Sequence, residues 1–296
     1  MVEDRVKNAK GAMANCLSMC SEVTLGLFFI PSALILYDSV FLATLLSNCR
    51  GWRNLSKDDY KKLETCQLRY LKRIMKAPLS TPNAFVFLEC GALPVKYIIH
   101  IRQLCFLHHI LQLQSDDPVR QVHEAQKLLP FEKNWTNEVI PLLEVYNLSE
   151  FDILSVSKES WKGIVKRNVT QVAFAQLSSD IKDKTKTKHL SYHKFASQRY
   201  MHQSGHKQSS IIFKLRSFSI DCKANRKSSN SDITCRLCKT ADETQDHVIN
   251  CPAVRGDGGL LDLSRILNAD FDSDDEEVSE ICDRVNEFNK LVNDGE

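Results

Sequence analysis

Four residues in one short stretch have the types and spacing of a metal site. In CRLCKTADETQDHVINC, two residues separate Cys235 from Cys238, eight more precede His247, and three precede Cys251. Thiolate and imidazole together suit a tetrahedral zinc ion, and a two-residue gap lets both sulfurs reach it. The His247–Cys251 gap places the two side chains at i and i+4, one turn apart on the same side of a helix. Asp242 and Glu243 precede that helix, where acidic side chains suit its dipole. Four protein ligands leave no open position, so the expected Zn2+ is structural, not catalytic. Cys222 stands twelve residues outside this compact spacing.

A second chemistry lies just upstream. Residues 158–230 carry 16 basic and 4 acidic groups. Lys182, Lys184, Lys186 and Lys188 alternate with Asp and Thr. Lys194, Arg199, Lys207, Lys214, Arg216, Lys223, Arg226 and Lys227 follow. Tyr192, Phe195, Tyr200 and Phe213 are interleaved among them. Cations neutralise phosphates and aromatic rings stack on bases, so the expected ligand is RNA or DNA. Its binding would be salt-sensitive, with little base readout. His189 and His193, and likewise His202 and His206, have the i,i+4 spacing of a helical metal pair. No Glu completes a His-Glu-x-x-His motif, so a polar or nucleic-acid-facing role is expected of them.

The whole chain of 296 residues has a net charge of only +2. By segment the balance is +1 for 1–157, +12 for 158–230, −1 for 231–255 and −10 for 256–296. Such asymmetry marks a nucleic-acid-facing or membrane-facing segment with an acidic tail. With 43% hydrophobic residues and 26% charged, the chain is not disordered, and ten glycines are few for a turn-rich β fold.

The elements that must position these residues read as helical almost throughout. Ser56 with Asp59 forms a capping box, ahead of Tyr60, Leu63, Gln67, Leu71 and Ile74. Thr81-Pro82 opens a short helix that ends at Gly91. Pro94 opens another, with Ile98, Ile101, Leu104, Cys105, His108 and Leu111 as its apolar face. Further starts fall at Asp117-Pro118, at Asn134 or Thr136, and at Ser157, whose helix carries Trp161, Ile164, Val165, Val172 and Ala175. Val278, Ile281, Val285, Phe288 and Leu291–Val292 trace an amphipathic C-terminal helix. Val23–Leu46 is apolar but broken by Pro31, Ser32 and Asp38; it reads as a core helix kinked at Pro31, not a membrane span. Eleven cysteines, an odd number, and no secretory leader favour a reducing, intracellular setting, nuclear or cytoplasmic. Cys16, Cys20, Cys49, Cys66, Cys90 and Cys105 read as small buried hydrophobes.

The stretch KLRSFSIDCKANRKSSNSDITCRLCKTADETQDHVINCP resembles the C-terminal end of non-LTR (LINE-like) retrotransposon reverse transcriptases. The likeness lies in a basic lead-in, the Cys-x-x-Cys, the Glu-Thr-x-x-His step at Glu243–His247 and a final Cys-Pro. Upstream, ALILYDSVF, WRNLSKDDYKKLE and STPNAFVFLECGALPV also fit, so it covers roughly residues 10–255. The His-to-Cys gap is one residue shorter than the family's frequent spacing. The resemblance implies a region that follows the palm: a helical thumb-like body (1–157), a basic helical arm (158–230), a CCHC zinc knuckle (231–255), then an acidic linker and helix (256–296).

The family's polymerase chemistry needs paired carboxylates for two Mg2+ ions. The one similar run, Phe271-Asp272-Ser273-Asp274-Asp275, lies in the acidic tail without flanking strands. The expectation is therefore a mainly α, non-enzymatic fragment, truncated after the palm, that binds RNA or DNA through a basic arm and a structural zinc knuckle. A palm domain or another protein would dock on the helical body. The alternative is a protein-interaction module, a helical scaffold with a zinc-stapled subdomain and no nucleic-acid affinity.

Overall fold

Helix starts follow the local side-chain chemistry. Asp59 N–H donates to Ser56 Oγ (3.1 Å) and Ser56 N–H returns a bond to Asp59 Oδ2 (3.1 Å), the reciprocal cap expected there. Asp117 accepts from Val119 N–H, Asn134 from Asn137 N–H, and Ser157 from Ser160 N–H. Thr81 plays a different part. Its carbonyl, with that of Leu79, accepts from the buried Lys72 Nζ at 2.7 Å, and Pro82 begins the next helix without a side-chain cap.

The computed structural model describes residues 1–23, 28–129, 133–226, 232–267 and 275–294. Its helices are α1 (Val2–Val23), α2 (Phe29–Leu36), α3 (Leu42–Leu45), α4 (Lys57–Ile74), α5 (Asn83–Cys90), α6 (Val95–Leu111), α7 (Pro118–Lys127), α8 (Trp135–Val139) and α9 (Pro141–Val145). Then follow α10 (Glu150–Ser155), α11 (Lys158–Lys182), α12 (Tyr200–Gln203), α13 (His206–Arg216), α14 (Gln245–Asn250), α15 (Pro252–Arg255), α16 (Ser264–Leu267) and α17 (Glu276–Asp294). The fold is mainly α. Among the described residues β pairing is confined to two isolated bridges, Cys90–Ser197 and Thr234–Asp242. No single described helix is long and apolar enough to cross a membrane.

The chain divides into two compact units. The first holds Met1–Cys16, Leu36–Leu68 and Leu93–Gln176; the second holds Leu17–Ile35, Arg69–Ala92 and Leu177–Glu296. The four compositional segments are a division of another kind, drawn on charge and not on contacts.

In the first unit, α6 and α11 supply Leu104, Leu107, Ile110, Trp161, Val165 and Val169 to one core with Trp135, Val139 and Tyr146. The Trp161 indole N–H donates to Leu104 O at 3.0 Å. The face of α6 differs from the expected one. Val95, Ile99, His100, Gln103 and Leu107 are buried with Leu104 and His108, while Ile98, Ile101, Cys105 and Leu111 are half-buried. The polar residues of this helix are scattered round it, so spacing does not choose its face. Polar partners do: Gln103 donates to Trp52 O, and His100 Nδ1 meets Tyr146 Oη at 2.6 Å. The Pro31 kink is likewise replaced. Pro31 sits in the first turn of α2, where its missing N–H costs nothing, and the irregular turn is a π-helical step at Tyr37–Phe41.

In the second unit, α5 packs Phe85 edge-on against Phe213 of α13, with ring centroids 4.8 Å apart. Gly91 ends α5 in the left-handed region at φ +60°, and Ala92 N–H bonds back to Phe87 O. A Cβ there would lie 2.3 Å from Ser197 N, in the backbone that bridges to Cys90. Gly91→Ala adds backbone strain to a clash no rotamer can relieve. It should cost about 2 kcal/mol or more in urea unfolding; an unchanged midpoint would contradict this packing.

Candidate metal centre

The four candidate ligands sit on a small hairpin and the helix after it. Cys235 N–H donates to Ala241 O (2.8 Å) and Glu243 N–H to Ile233 O (2.7 Å), around the Thr234–Asp242 bridge. Lys239 takes φ +60° and lets the chain turn tightly after Cys238. Thr244 caps α14, accepting from His247 N–H at 3.1 Å. His247 lies within α14 and Cys251 at its C-cap, so the i,i+4 spacing works as expected.

These elements bring together the four expected residues. The ligand atoms of Cys235, Cys238, His247 and Cys251 all lie within 4.8 Å of one another. Cys235 Sγ and Cys251 Sγ are 3.8 Å apart, and Cys238 Sγ and His247 Nε2 are 3.3 Å apart. A disulfide would need about 2 Å between sulfurs. Metal–sulfur bonds of about 2.3 Å at tetrahedral angles put sulfurs about 3.8 Å apart. The set therefore fits a tetrahedral ion. Burial opposes ionisation of Cys238, but hydrogen bonds from Thr240 and the neighbouring thiols outweigh it and hold the group below the usual thiol range. Burial pushes the Cys251 thiol up. Cys222 is buried and is not among the four.

Support for the centre was partly missed in the sequence. Glu243 does more than precede the α14 N-terminus. It is fully buried and accepts from Lys223 N–H (2.9 Å), Arg236 N–H (2.8 Å) and the Arg236 guanidinium (2.8 Å). Burial raises its pKa, and the Arg236 bonds more than reverse that and hold it ionised. Gln245 donates to Leu215 O of α13 at 2.8 Å. The amphipathic α17 buries Val278, Ile281, Val285 and Phe288 and packs on α13, α14 and α15. Arg284 reaches Ile249 O (3.2 Å), and the Arg236 guanidinium lies 5.9 Å from the Phe288 ring centroid. The Phe271–Asp274 run falls outside the described residues.

The basic residues fall into several groups. Lys182, Lys184, Lys188, Lys194, Arg199 and Lys207 are exposed in the second unit. Lys186, Lys214 and Lys223 are half-buried. Lys223 faces Asp232 at 3.6 Å, and Arg226 grips Asp221 through two bonds. Lys227 lies outside the described residues. Arg216 does not face solvent at all. It is fully buried, with Nε 3.0 Å from Glu89 Oε1 and Nη1 donating to Ile266 O at 2.7 Å, so it cannot reach a phosphate. Tyr200 and Phe213 are buried as well, so these two rings are not open to bases, while Tyr192 is half-buried and its hydroxyl donates to Glu89 at 2.5 Å. Lys76, absent from the expected set, is exposed, and it depresses the half-buried Lys214 ammonium after burial itself does.

The expected helical arm is helical only in part. Residues 183–199 are turns and extended chain, because Lys-Thr alternation offers no apolar stripe. His189 and His193 are therefore not on one helix, and α12 ends between His202 and His206. His189 meets the Phe218 ring edge-on, His202 Nε2 meets Ser197 Oγ at 2.7 Å, and His206 Nε2 meets Ile74 O at 2.8 Å. Neither pair is arranged to hold a metal.

No protein-family model matches the chain, and no curated protein or solved structure matches it either.

Proposed function

We propose that this protein binds nucleic acid through the exposed cations of its second unit, beside a Cys3His centre that holds structural zinc. In this reading it corresponds to the thumb, connector and zinc-knuckle region of a non-LTR reverse transcriptase and works without a polymerase active site of its own. The observation that carries the reading is the convergence of Cys235, Cys238, His247 and Cys251 at tetrahedral spacings. That donor set is soft and closed, which suits zinc and leaves no place for a reacting group. The bound ion would fasten the hairpin to α14. Lys182, Lys184, Lys188, Lys194, Arg199 and Lys207 would contact phosphates. Four of these six exposed cations, Lys184, Lys188, Lys194 and Arg199, lie on irregular backbone, which favours a flexible, single-stranded partner over a rigid groove.

The test is fluorescence anisotropy of a labelled single-stranded RNA, and of the matching DNA, with the zinc-loaded chain across a salt series. Replacing Lys182, Lys184 and Lys188 together with Ala should flatten the log–log salt slope by about 2, as three lost phosphate contacts on a single strand require. Absence of binding at low salt, from a chain shown to be folded, would overturn the proposal and leave the protein-interaction module.

A further inference from the structure

The first unit contains a cavity of about 710 Å3 that neither the metal centre nor the Lys182–Arg226 series touches. It is lined by four cations, Arg50, Arg102, Lys158 and Lys162, with His109 at the rim and no carboxylate in the lining. Among the described residues none of the four cations forms an ion pair with an acidic side chain. Two of them are held in place. Arg102 Nη1 donates to Leu46 O at 2.8 Å, beside Cys49 Sγ, and the Arg50 guanidinium lies 5.0 Å from the Phe106 ring centroid. The Trp135 indole N–H fixes the Arg50 carbonyl at 2.8 Å. Lys158 and Lys162 stand in the first turns of α11, where the helix dipole adds positive potential. The remaining wall is mostly apolar, Leu46, Cys49, Ile101, Cys105 and Phe106, with one amide, Asn48.

Four cations without an acidic partner among the described residues repel one another around one hollow unless an anion joins them. A lone phosphate would satisfy the charge but leave most of the volume and the whole apolar wall unused. The cavity lies within the range of about 300–1,000 Å3 typical of small-molecule sites. We infer that it binds a nucleoside phosphate, with the phosphate on Arg102, Lys158 and Lys162 and the base against the Phe106–Cys105 wall. The ligand could arrive free in solution or as one nucleotide of a single strand; the chemistry recognised is the same. This inference does not rest on the metal centre or on the basic segment of the second unit.

Cys105 gives a local readout. It is a half-buried thiol on the cavity wall, raised by burial and pulled back by Lys162 and Lys158. In the full chain, the rate of Cys105 alkylation by iodoacetamide, followed by mass spectrometry, is measured with fluorescent ADP, with inorganic phosphate, and with a short single-stranded oligonucleotide. A nucleotide site predicts that ADP, the oligonucleotide or both slow alkylation about tenfold at saturation, while phosphate does so only at far higher concentration. Protection by ADP identifies a free nucleotide as sufficient; protection by the oligonucleotide alone identifies a strand. Lys158→Ala/Lys162→Ala, two exposed positions, should weaken the protecting ligand about tenfold or more, with unchanged melting. No protection by either nucleotide ligand, equal protection of the double variant, or phosphate as potent as ADP would each overturn the inference.

Discussion

Purified chain should carry one zinc ion, and removing it should release the tip of the hairpin Ile233–Glu243 before helix α14. Apart from the Glu243–Arg236 bonds, the hairpin has little packing to hold it. Ile233 and Leu237 are only half-buried, one isolated bridge joins its arms, and Cys235 and Glu243 are its fully buried side chains. Helix α14 is six residues long, far below the length at which a helix stands alone, but it buries Val248 and Ile249 against α17. Structural zinc contributes about 10–16 kcal/mol of apparent binding free energy in isolated finger peptides. Even a fraction of that exceeds what one hairpin bridge supplies. Chelation, or Cys238→Ser, should therefore abolish hydrogen-exchange protection across 235–241 and lower the melting temperature, while the base of the hairpin and α14 keep part of their protection. Proton release should accompany zinc binding, because burial favours the protonated Cys251 thiol and coordination needs the thiolate. A chain without bound zinc whose hairpin exchange matches that of Cys238→Ser would remove the metal from the reading.

The order of loss also separates the two supports of this centre. Glu243 and Arg236 tie the hairpin to Lys223 N–H, and they would persist without metal. They hold its base, whereas the ligands hold its tip. Breaking one side of this largely buried pair would cost about 3–5 kcal/mol, still less than the contribution of about 10–16 kcal/mol from a structural zinc site.

How far the sequence discloses this arrangement depends on separation along the chain. The candidate metal set is legible because four potential ligands of two types fall within seventeen residues and local geometry does the rest. The caps at Ser56, Asp117, Asn134 and Ser157 are legible for the same reason. The face of α6 is not, since its polar residues are scattered round the helix and its orientation is set by distant partners such as Tyr146 and Trp52. Nor is the role of Arg216. In sequence it is one more cation in a basic run, and only a partner 127 residues away takes it out of solvent. Tyr200 misleads in the same way: an aromatic residue among lysines fits base stacking, but its side chain is buried with its hydroxyl on Glu89.

That buried group sets the second large effect. Glu89 is fully buried in α5 and accepts from Arg216 at 3.0 Å, from Tyr192 at 2.5 Å and from Tyr200 at 2.6 Å. Burial, followed by the Glu89 charge, pushes both phenols well above their usual range, so they remain donors. Glu89→Leu would leave the Arg216 guanidinium charged and without its carboxylate in a dry interior. Breaking one side of such a pair costs about 3–5 kcal/mol, a large share of a domain's usual margin of about 5–15 kcal/mol. The double variant Glu89→Leu/Arg216→Met should recover part of that loss, because two apolar side chains tolerate the site better than one charge. Recovery should stop short of wild type, since Tyr192, Tyr200 and Ile266 O would each lose a partner, at about 1–3 kcal/mol for every group left unsatisfied. Urea unfolding of the four members of this cycle gives the coupling directly. A Glu89→Leu variant within about 1 kcal/mol of wild type would show the pair to be far weaker than its burial implies. Arg216→Lys adds a functional arm. A phosphate contact would weaken RNA binding and leave stability alone; the buried position predicts the reverse, lower stability with unchanged affinity of the folded fraction.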